Sequence, residues 1–246
     1  MSEKAEKCPV CFSTINKFAM GEKNDYKLIA CQACGSVMTD PVLTQTELDT
    51  FFGDIQPEIV HISNYEKLIE DLKKTLKNIV PNPAGKRFLD ISCRQGYALA
   101  AAKEYGFKKI KGIDPHEFFI SFAKAKYNPD TFEHISVQDY AAAENMEQAD
   151  VVFSIESFCE QPDLESYMAA LAKIVARGGL LYINEPDGNS IFLPRNFLKW
   201  VFADPPINFI YLSKAGMIKL LARHGFKVQK NFFVWRPFMR LVAVKV

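Results

Sequence analysis

Residues 87–106 read RFLDISCRQGYALAAAKEYG. Arg87–Ile91 is a short apolar run carrying an acidic residue, Asp90, near its end. A turn follows, Ser92-Cys93-Arg94-Gln95-Gly96, and Tyr97–Tyr105 then has helical periodicity closed by Gly106. A strand ending on an acid, a turn of mostly small residues and a helix together form a nucleotide-cofactor loop. Small residues let the backbone approach a ligand, and the helix N-terminus offers unpaired N–H groups. Asp90, Ser92, Arg94 and Gly96 are therefore cofactor-loop candidates.

Downstream, apolar runs alternate with helical patterns. Lys109–Ile113 is followed by Asp114, whose carboxylate can accept from both ribose hydroxyls of an adenosine, and Pro115 suits the first turn of a helix over Glu117–Lys126. Thr131–Val137 reads as a third strand ending near Gln138-Asp139, where a carboxylate can accept from an adenine amino group. Asp150–Ile155 and Gly179–Asn184 are the next strands, separated by a helix over Asp163–Ala176 that Asp163 caps and Gly178-Gly179 closes. Glu156 directly follows the fourth strand, at the edge where open α/β sheets bind ligands, and is the candidate catalytic base. The order βαβα implies a parallel sheet with helices on both faces. Its end differs: a helix over Ser213–His224, then strands Phe226–Val234 and Phe238–Val246 joined by Trp235-Arg236-Pro237 as an antiparallel pair.

Upstream, Thr44–Phe52 and Tyr65–Lys77 have helical periodicity, with Leu68, Leu72, Leu76 and Ile79 on one face, and Pro81-Asn82-Pro83-Ala84-Gly85 marks a boundary. Further upstream, Cys8, Cys11, Cys31 and Cys34 form two C-x2-C knuckles separated by 19 residues. Four thiolates complete a tetrahedral shell and leave no open position, which is the chemistry of a structural zinc. Metal binding supplies the stability that a piece of this size lacks. Asn24–Cys31 alternates as a short strand returning to the site, and Cys93 and Cys159 are isolated and read as packing residues.

Composition sets outer limits. Of 246 residues, 48% are hydrophobic and 13% aromatic, enough for a sizeable core. Thirty basic and 29 acidic residues leave a net charge of +1, without the marked basic excess of a strong nucleic-acid binder. No apolar run is long enough to cross a membrane, and the opening MSEKAEKCPVC lacks the apolar core of a secretory signal, so the expected setting is cytoplasmic, with reduced cysteines.

The three acidic points in this order resemble class I S-adenosylmethionine-dependent methyltransferases. The whole chain resembles the subgroup with an N-terminal four-cysteine zinc module; CQACGSVMTDP (31–41) is similar to the end of that module, and SKAGMIKLLARHGFKV (213–228) to the family's late helix and strand. The resemblance implies a Rossmann-like seven-stranded sheet with an antiparallel last strand, preceded by a zinc ribbon. The expected domains are 1–42 (ribbon), 43–85 (helical connector) and 86–246 (methyltransferase-like). The implied activity is methyl transfer from S-adenosylmethionine to a small-molecule or carbohydrate-linked acceptor. The cofactor site it implies comprises Asp90, Ser92, Arg94, Gly96, Asp114, Pro115, Gln138 and Asp139. Ser92 and Arg94 depart from the family's glycine-rich loop, Cys159-Glu160 stands where a Glu-His pair is common, and Asn208 replaces a frequent His. These departures keep an alternative open: an inactive scaffold or sensor. The ribbon and the aromatic segment 191–211, which also reads as a substrate lid or a packed insert, would then be docking surfaces for a protein partner.

Overall fold

The protein is described from a computed structural model, which covers residues 7–14, 17–54 and 65–246. His61, a histidine with no metal-ligand spacing to another in the sequence, lies outside them. Strands β1 (Lys17–Lys23), β2 (Tyr26–Cys31) and β3 (Val37–Thr39) come first, then helices α1 (Gln45–Asp54) and α2 (Tyr65–Ile79). An alternating series follows: β4 (Arg87–Asp90), α3 (Tyr97–Tyr105), β5 (Lys109–Asp114), α4 (Glu117–Lys126), β6 (Phe132–His134), α5 (Val137–Ala142), β7 (Ala149–Ile155), α6 (Leu164–Ile174) and β8 (Val175–Pro186). The chain ends with β9 (Ile210–Tyr211), α7 (Lys214–Arg223), β10 (Phe226–Phe232) and β11 (Phe238–Lys245).

One sheet has the order β10-β11-β8-β7-β4-β5-β6, parallel through β7-β4-β5-β6 and antiparallel in its last strands. The seven-stranded α/β fold read from the sequence is the fold observed. Central strands covered on both faces are apolar throughout rather than alternating; Phe88 and Leu89 of β4, and Val151, Val152 and Phe153 of β7, are accordingly all buried. A second sheet has the order β1-β2-β3-β9, in which the two residues of β9 pair antiparallel with β3, Val37 opposite Tyr211.

The described residues divide into two compact units that do not follow chain order. One comprises the described residues from Tyr65 to Ile155, Ala169–Tyr182 and Val242–Val246. Its core stacks Phe88 edge-on against Phe153 at 4.9 Å, with Phe153 4.5 Å from Tyr182. Helix α2 buries Ile69, Leu72, Leu76 and Ile79, one helical stripe; Leu68 is only half-buried. The other unit comprises the described residues up to Asp54, Glu156–Met168 and Ile183–Leu241. Here Leu28 and Val37 of the small sheet share a core with Phe197, Trp200, Ala203 and Tyr211. Most of the aromatic segment is thus packing, and its end supplies the fourth strand of the cysteine-bearing sheet.

Two local readings change. The helix read as Asp163–Ala176 stops at Ile174, and β8 begins at Val175 and continues to Pro186. The Lys245 ammonium closes the helix by donating to the Ala172 and Val175 carbonyls; a cation there also complements the helix dipole. Asp163 is the N-cap, as expected, its Oδ1 accepting from the N–H groups of Glu165 and Ser166. The third apolar run is a strand only as far as His134. Ser136 then caps α5, its hydroxyl accepting from the Asp139 N–H at 3.0 Å and donating to Asp139 Oδ2 at 2.6 Å. Gln138 and Asp139 consequently ride on the first turn of a helix and not on a strand end, and Asp139 is exposed. Among the described residues, no helix is long and apolar enough to cross a membrane.

Candidate functional site

Asp90 and Asp114 end the adjacent parallel strands β4 and β5, where Asp90 lies opposite Gly112. The loop after β4 folds back onto β5: the Cys93 N–H donates to the Ile113 carbonyl at 3.1 Å, and the Gly96 N–H to the Cys93 carbonyl at 2.7 Å. Gly112 makes this close approach possible, because a Cβ there would sit 2.9 Å from Cys93 Sγ. Ser92 Oγ donates to the Ile155 carbonyl at 3.0 Å, tying the loop to the end of β7. Arg94 adopts φ 43° and Gly96 φ 80°. The loop therefore keeps a left-handed turn at position 94 although the residue is not glycine, and Gly96 opens α3.

Asp114 holds this loop together. Its carboxylate is 2% exposed. Oδ2 accepts from the Arg94 N–H at 2.9 Å, and Oδ1 accepts from the His116 N–H at 3.0 Å and meets His116 Nδ1 at 3.1 Å. A carboxylate has about four lone-pair sites, so these three contacts leave room for one further donor on Oδ2. Asp90 is also buried. Burial pushes its carboxyl up to about 7, the charge of Asp114 adds to this, and the Ser92 N–H and Arg94 oppose it. Pro115 is exposed, and its carbonyl contacts His134 Nε2 at 2.8 Å.

In the other unit, Glu156 is half-buried with a left-handed backbone (φ 53°), and its N–H donates to the Asn184 carbonyl at 2.9 Å. The sequence reading missed Glu185, near the end of β8. It is 1% exposed; Oε1 accepts from the N–H groups of Ser157 at 2.7 Å and Phe158 at 3.2 Å, while Oε2 is buried without a partner among the described residues. Burial, reinforced by the charges of Glu156 and Glu160, pushes its carboxyl up to about 8. The one sequence signal was an acid directly after an apolar strand. Tyr167 Oη donates to Ser157 Oγ at 2.8 Å and steadies the same turn. Cys159 and Cys93 are buried, as packing residues are. His224 caps its helix and meets Glu165 at 3.2 Å, a structural role.

The four N-terminal cysteines converge. Their sulfurs all lie within 4.8 Å of one another, with Cys8 to Cys34 and Cys11 to Cys31 both 3.8 Å. Four sulfurs about 2.3 Å from one ion stand ~3.8 Å apart, so the cluster has the size of a tetrahedral metal shell. Hydrogen bonding from Cys8, with help from Ser36, holds the Cys34 thiol down to about 5, whereas the same contact and burial push Cys8 up. These sulfurs cannot all be ionised together without a cation among them.

A family model described as a methyltransferase domain matches residues 61–231. The chain belongs to this methyltransferase-domain family. Among curated relatives, it is 28% identical over 144 residues to a ubiquinone biosynthesis O-methyltransferase of Rhizobium johnstonii, covering 55% of this chain and 57% of that protein. It is 26% identical over 151 residues to a tRNA U34 carboxymethyltransferase of Pseudomonas fluorescens, covering 54% and 45%. The methyltransferase-family chain thus spans about half the length of these relatives. Among solved structures, an S-adenosylmethionine-dependent methyltransferase from Archaeoglobus fulgidus superposes with a TM-score of 0.58 at 19% identity, over 72% of this chain and 94% of that one. A magnesium protoporphyrin IX methyltransferase from Synechocystis PCC 6803, solved with bound S-adenosylmethionine, gives 0.50 at 17%, over 82% and 90%. At these identities the likeness is one of fold.

Proposed function

We propose that this protein transfers a methyl group from S-adenosylmethionine to a small-molecule or carbohydrate-linked acceptor. The observation that carries this reading is the pair of buried carboxylates, Asp90 and Asp114, on adjacent parallel strand ends around a left-handed loop that opens onto α3. S-adenosylmethionine, when bound, supplies an electrophilic methyl on a sulfonium centre. In this reading Asp114 Oδ2 takes one ribose hydroxyl, Asp90 fixes the loop near the cationic end, and the Arg94 guanidinium pairs with the cofactor carboxylate. Ser92, Gly96, Pro115 and Gln138 line the rest of that site; Asp139, turned to capping α5, is its weakest member. Positioning the acceptor in line and excluding water is the protein's main task. Glu156 is the candidate base for a hydroxyl acceptor. The names of the ubiquinone-pathway relatives support small-molecule O-methylation, and those of the tRNA relatives support a nucleic-acid acceptor; the balanced charge of this chain favours the former.

Cys8, Cys11, Cys31 and Cys34 would hold a structural zinc, so that the chain reads as a ribbon (1–42), a helical connector (43–85) and a methyltransferase-like domain (86–246). One observation favours the scaffold alternative: the Arg94 amide and Asp114, which a cofactor would use, already engage one another. Calorimetric titration with S-adenosylmethionine and S-adenosylhomocysteine separates the readings. Saturable binding of both supports the enzyme, and no heat at millimolar ligand leaves the scaffold. Elemental analysis of chelator-free protein is expected to find one zinc per chain.

A further inference from the structure

We propose that the tip of the β10–β11 hairpin, together with the start of the 191–211 segment, docks onto an anionic membrane surface. The side chains there are large, apolar and turned to solvent: Trp235 is 79% exposed, Phe233 69% and Ile191 88%. They are not scattered. Phe192 lies 6.1 Å from Phe233 and 5.9 Å from Trp235, and Phe233 and Trp235 are 4.8 Å apart. Single exposed apolar residues need no explanation, but a contiguous cluster marks an interaction surface.

Charge identifies the partner. Neither 188–203 nor 226–241 contains an Asp or Glu, and the two stretches together carry six basic residues, of which Arg240 donates to Asn184 Oδ1, in a chain whose net charge is only +1. Arg195, Lys199, Lys230 and Arg236 are exposed. Trp and Phe beside Lys and Arg is the combination that seats a surface segment in a lipid headgroup layer, the rings entering the interface and the cations meeting anionic lipid. Single-stranded nucleic acid is also anionic, but it needs open ring faces on which bases stack. Here Phe233 and Trp235 meet edge to face at 88°, and Phe192 and Phe233 at 74°. Each ring turns an edge or a face to its neighbour, and Ile191 offers bases no π-surface. Insertion into an acyl boundary uses all four side chains.

The test uses the full chain with vesicles of phosphatidylcholine alone or mixed with phosphatidylglycerol. The chain has two tryptophans, and Trp200 is buried in the small-sheet core, so a change in emission on binding reports Trp235. The protein is expected to sediment with the phosphatidylglycerol vesicles and not with phosphatidylcholine alone. Emission should shift to the blue and be quenched by brominated lipid, and added salt should weaken binding. Arg236→Glu should weaken binding by roughly tenfold, and Phe233→Ala with Trp235→Ala should abolish it. Unchanged Trp200 emission in the double variant establishes that the fold is intact. Absence of sedimentation with anionic vesicles at low salt overturns the proposal. So does binding that these variants leave unchanged, or quenching of Trp235 by single-stranded RNA with no response to vesicles.

Discussion

Arg94 holds a backbone conformation (φ 43°) that glycine adopts without strain, and its N–H is committed to Asp114 Oδ2. Left-handed backbone costs an L-residue about 1–2 kcal/mol, while glycine loses about 0.5–1 kcal/mol more in chain entropy on folding. The two nearly cancel, so Arg94→Gly should melt within about 1 kcal/mol of the parent in denaturant titration. If the guanidinium pairs with the cofactor carboxylate, the same variant binds S-adenosylmethionine about tenfold more weakly, roughly 1.4 kcal/mol; a tenfold gain instead would make Arg94 an obstruction. Asp114 gives a sharper contrast. Read from the sequence alone, its loss should weaken the ribose contact. In the structure Asp114→Ala also leaves the Arg94 and His116 N–H groups without their acceptor, at about 1–3 kcal/mol for each donor left buried and unpaired. Both donors are only part-buried, so the expected outcome is a stability loss of about 2–4 kcal/mol, in the lower part of that sum, together with lost cofactor binding. Asp114→Asn, which keeps one acceptor oxygen, should recover part of the stability. Unfolding curves and calorimetry on the two variants distinguish these effects.

At the scale of elements, the cysteine cluster and the aromatic segment are one construction. Strand β3 pairs with β2 on one side and β9 on the other, and Leu28 and Val37 bury themselves against Phe197, Trp200 and Tyr211. Ser213, the N-cap of α7, donates from Oγ to the Cys34 carbonyl, and its N–H donates to Ser36 Oγ at 2.9 Å. From the sequence alone, Cys31→Ser would destabilise only an N-terminal module. The packing extends the expected damage: removing the proposed zinc, by chelation or by Cys31→Ser, should expose 197–213 as well as β1–β3 to hydrogen exchange, while β4, β5 and β7 keep their protection. Retained protection across 197–213 would show that the segment folds without the cluster. The sequence did not reveal this partnership because β9 is two residues long, too short for any periodicity, and its partner lies far upstream. The long elements were legible because their patterns were: α3 and α4 have the bounds that periodicity assigned, and Asp163 caps where expected. Asp139 misled because Ser136, which falls inside an apolar run, starts a helix one residue later.

For the whole molecule, two of the deeply buried carboxyls, those of Asp90 and Glu185, make stability depend on pH. Asp90 and Glu185 were legible to different degrees. Asp90 stands before a recognisable loop, whereas Glu185 has only the sequence context of a strand terminus, and its environment arises from packing around the 156–160 turn. Both share one electrostatic property. Burial is the main cause that raises Asp90 to about 7 and Glu185 to about 8, from ordinary values of 3.8 and 4.5. Asp114 reinforces the first while Arg94 opposes it, and Glu156 and Glu160 reinforce that of Glu185. The native state therefore keeps protons that the unfolded chain has already released between about pH 4 and pH 8. Stability falls wherever the native state binds more protons than the unfolded one. The contribution is complete below pH 4, declines as pH rises through the folded values and levels off above about pH 8. One pKa unit corresponds to about 1.4 kcal/mol, so even a third of these shifts, left after the buried sites relax and admit water, gives a combined loss of about 3 kcal/mol. Urea unfolding at pH 3.5 and pH 8.5 measures it. Asp90→Asn with Glu185→Gln replaces both carboxyls by neutral amides, and should flatten the profile and raise stability at pH 8.5 relative to the parent. If the double variant keeps the parent's slope, these two groups ionise as readily in the folded protein as in the unfolded chain, and the pH dependence belongs to other groups.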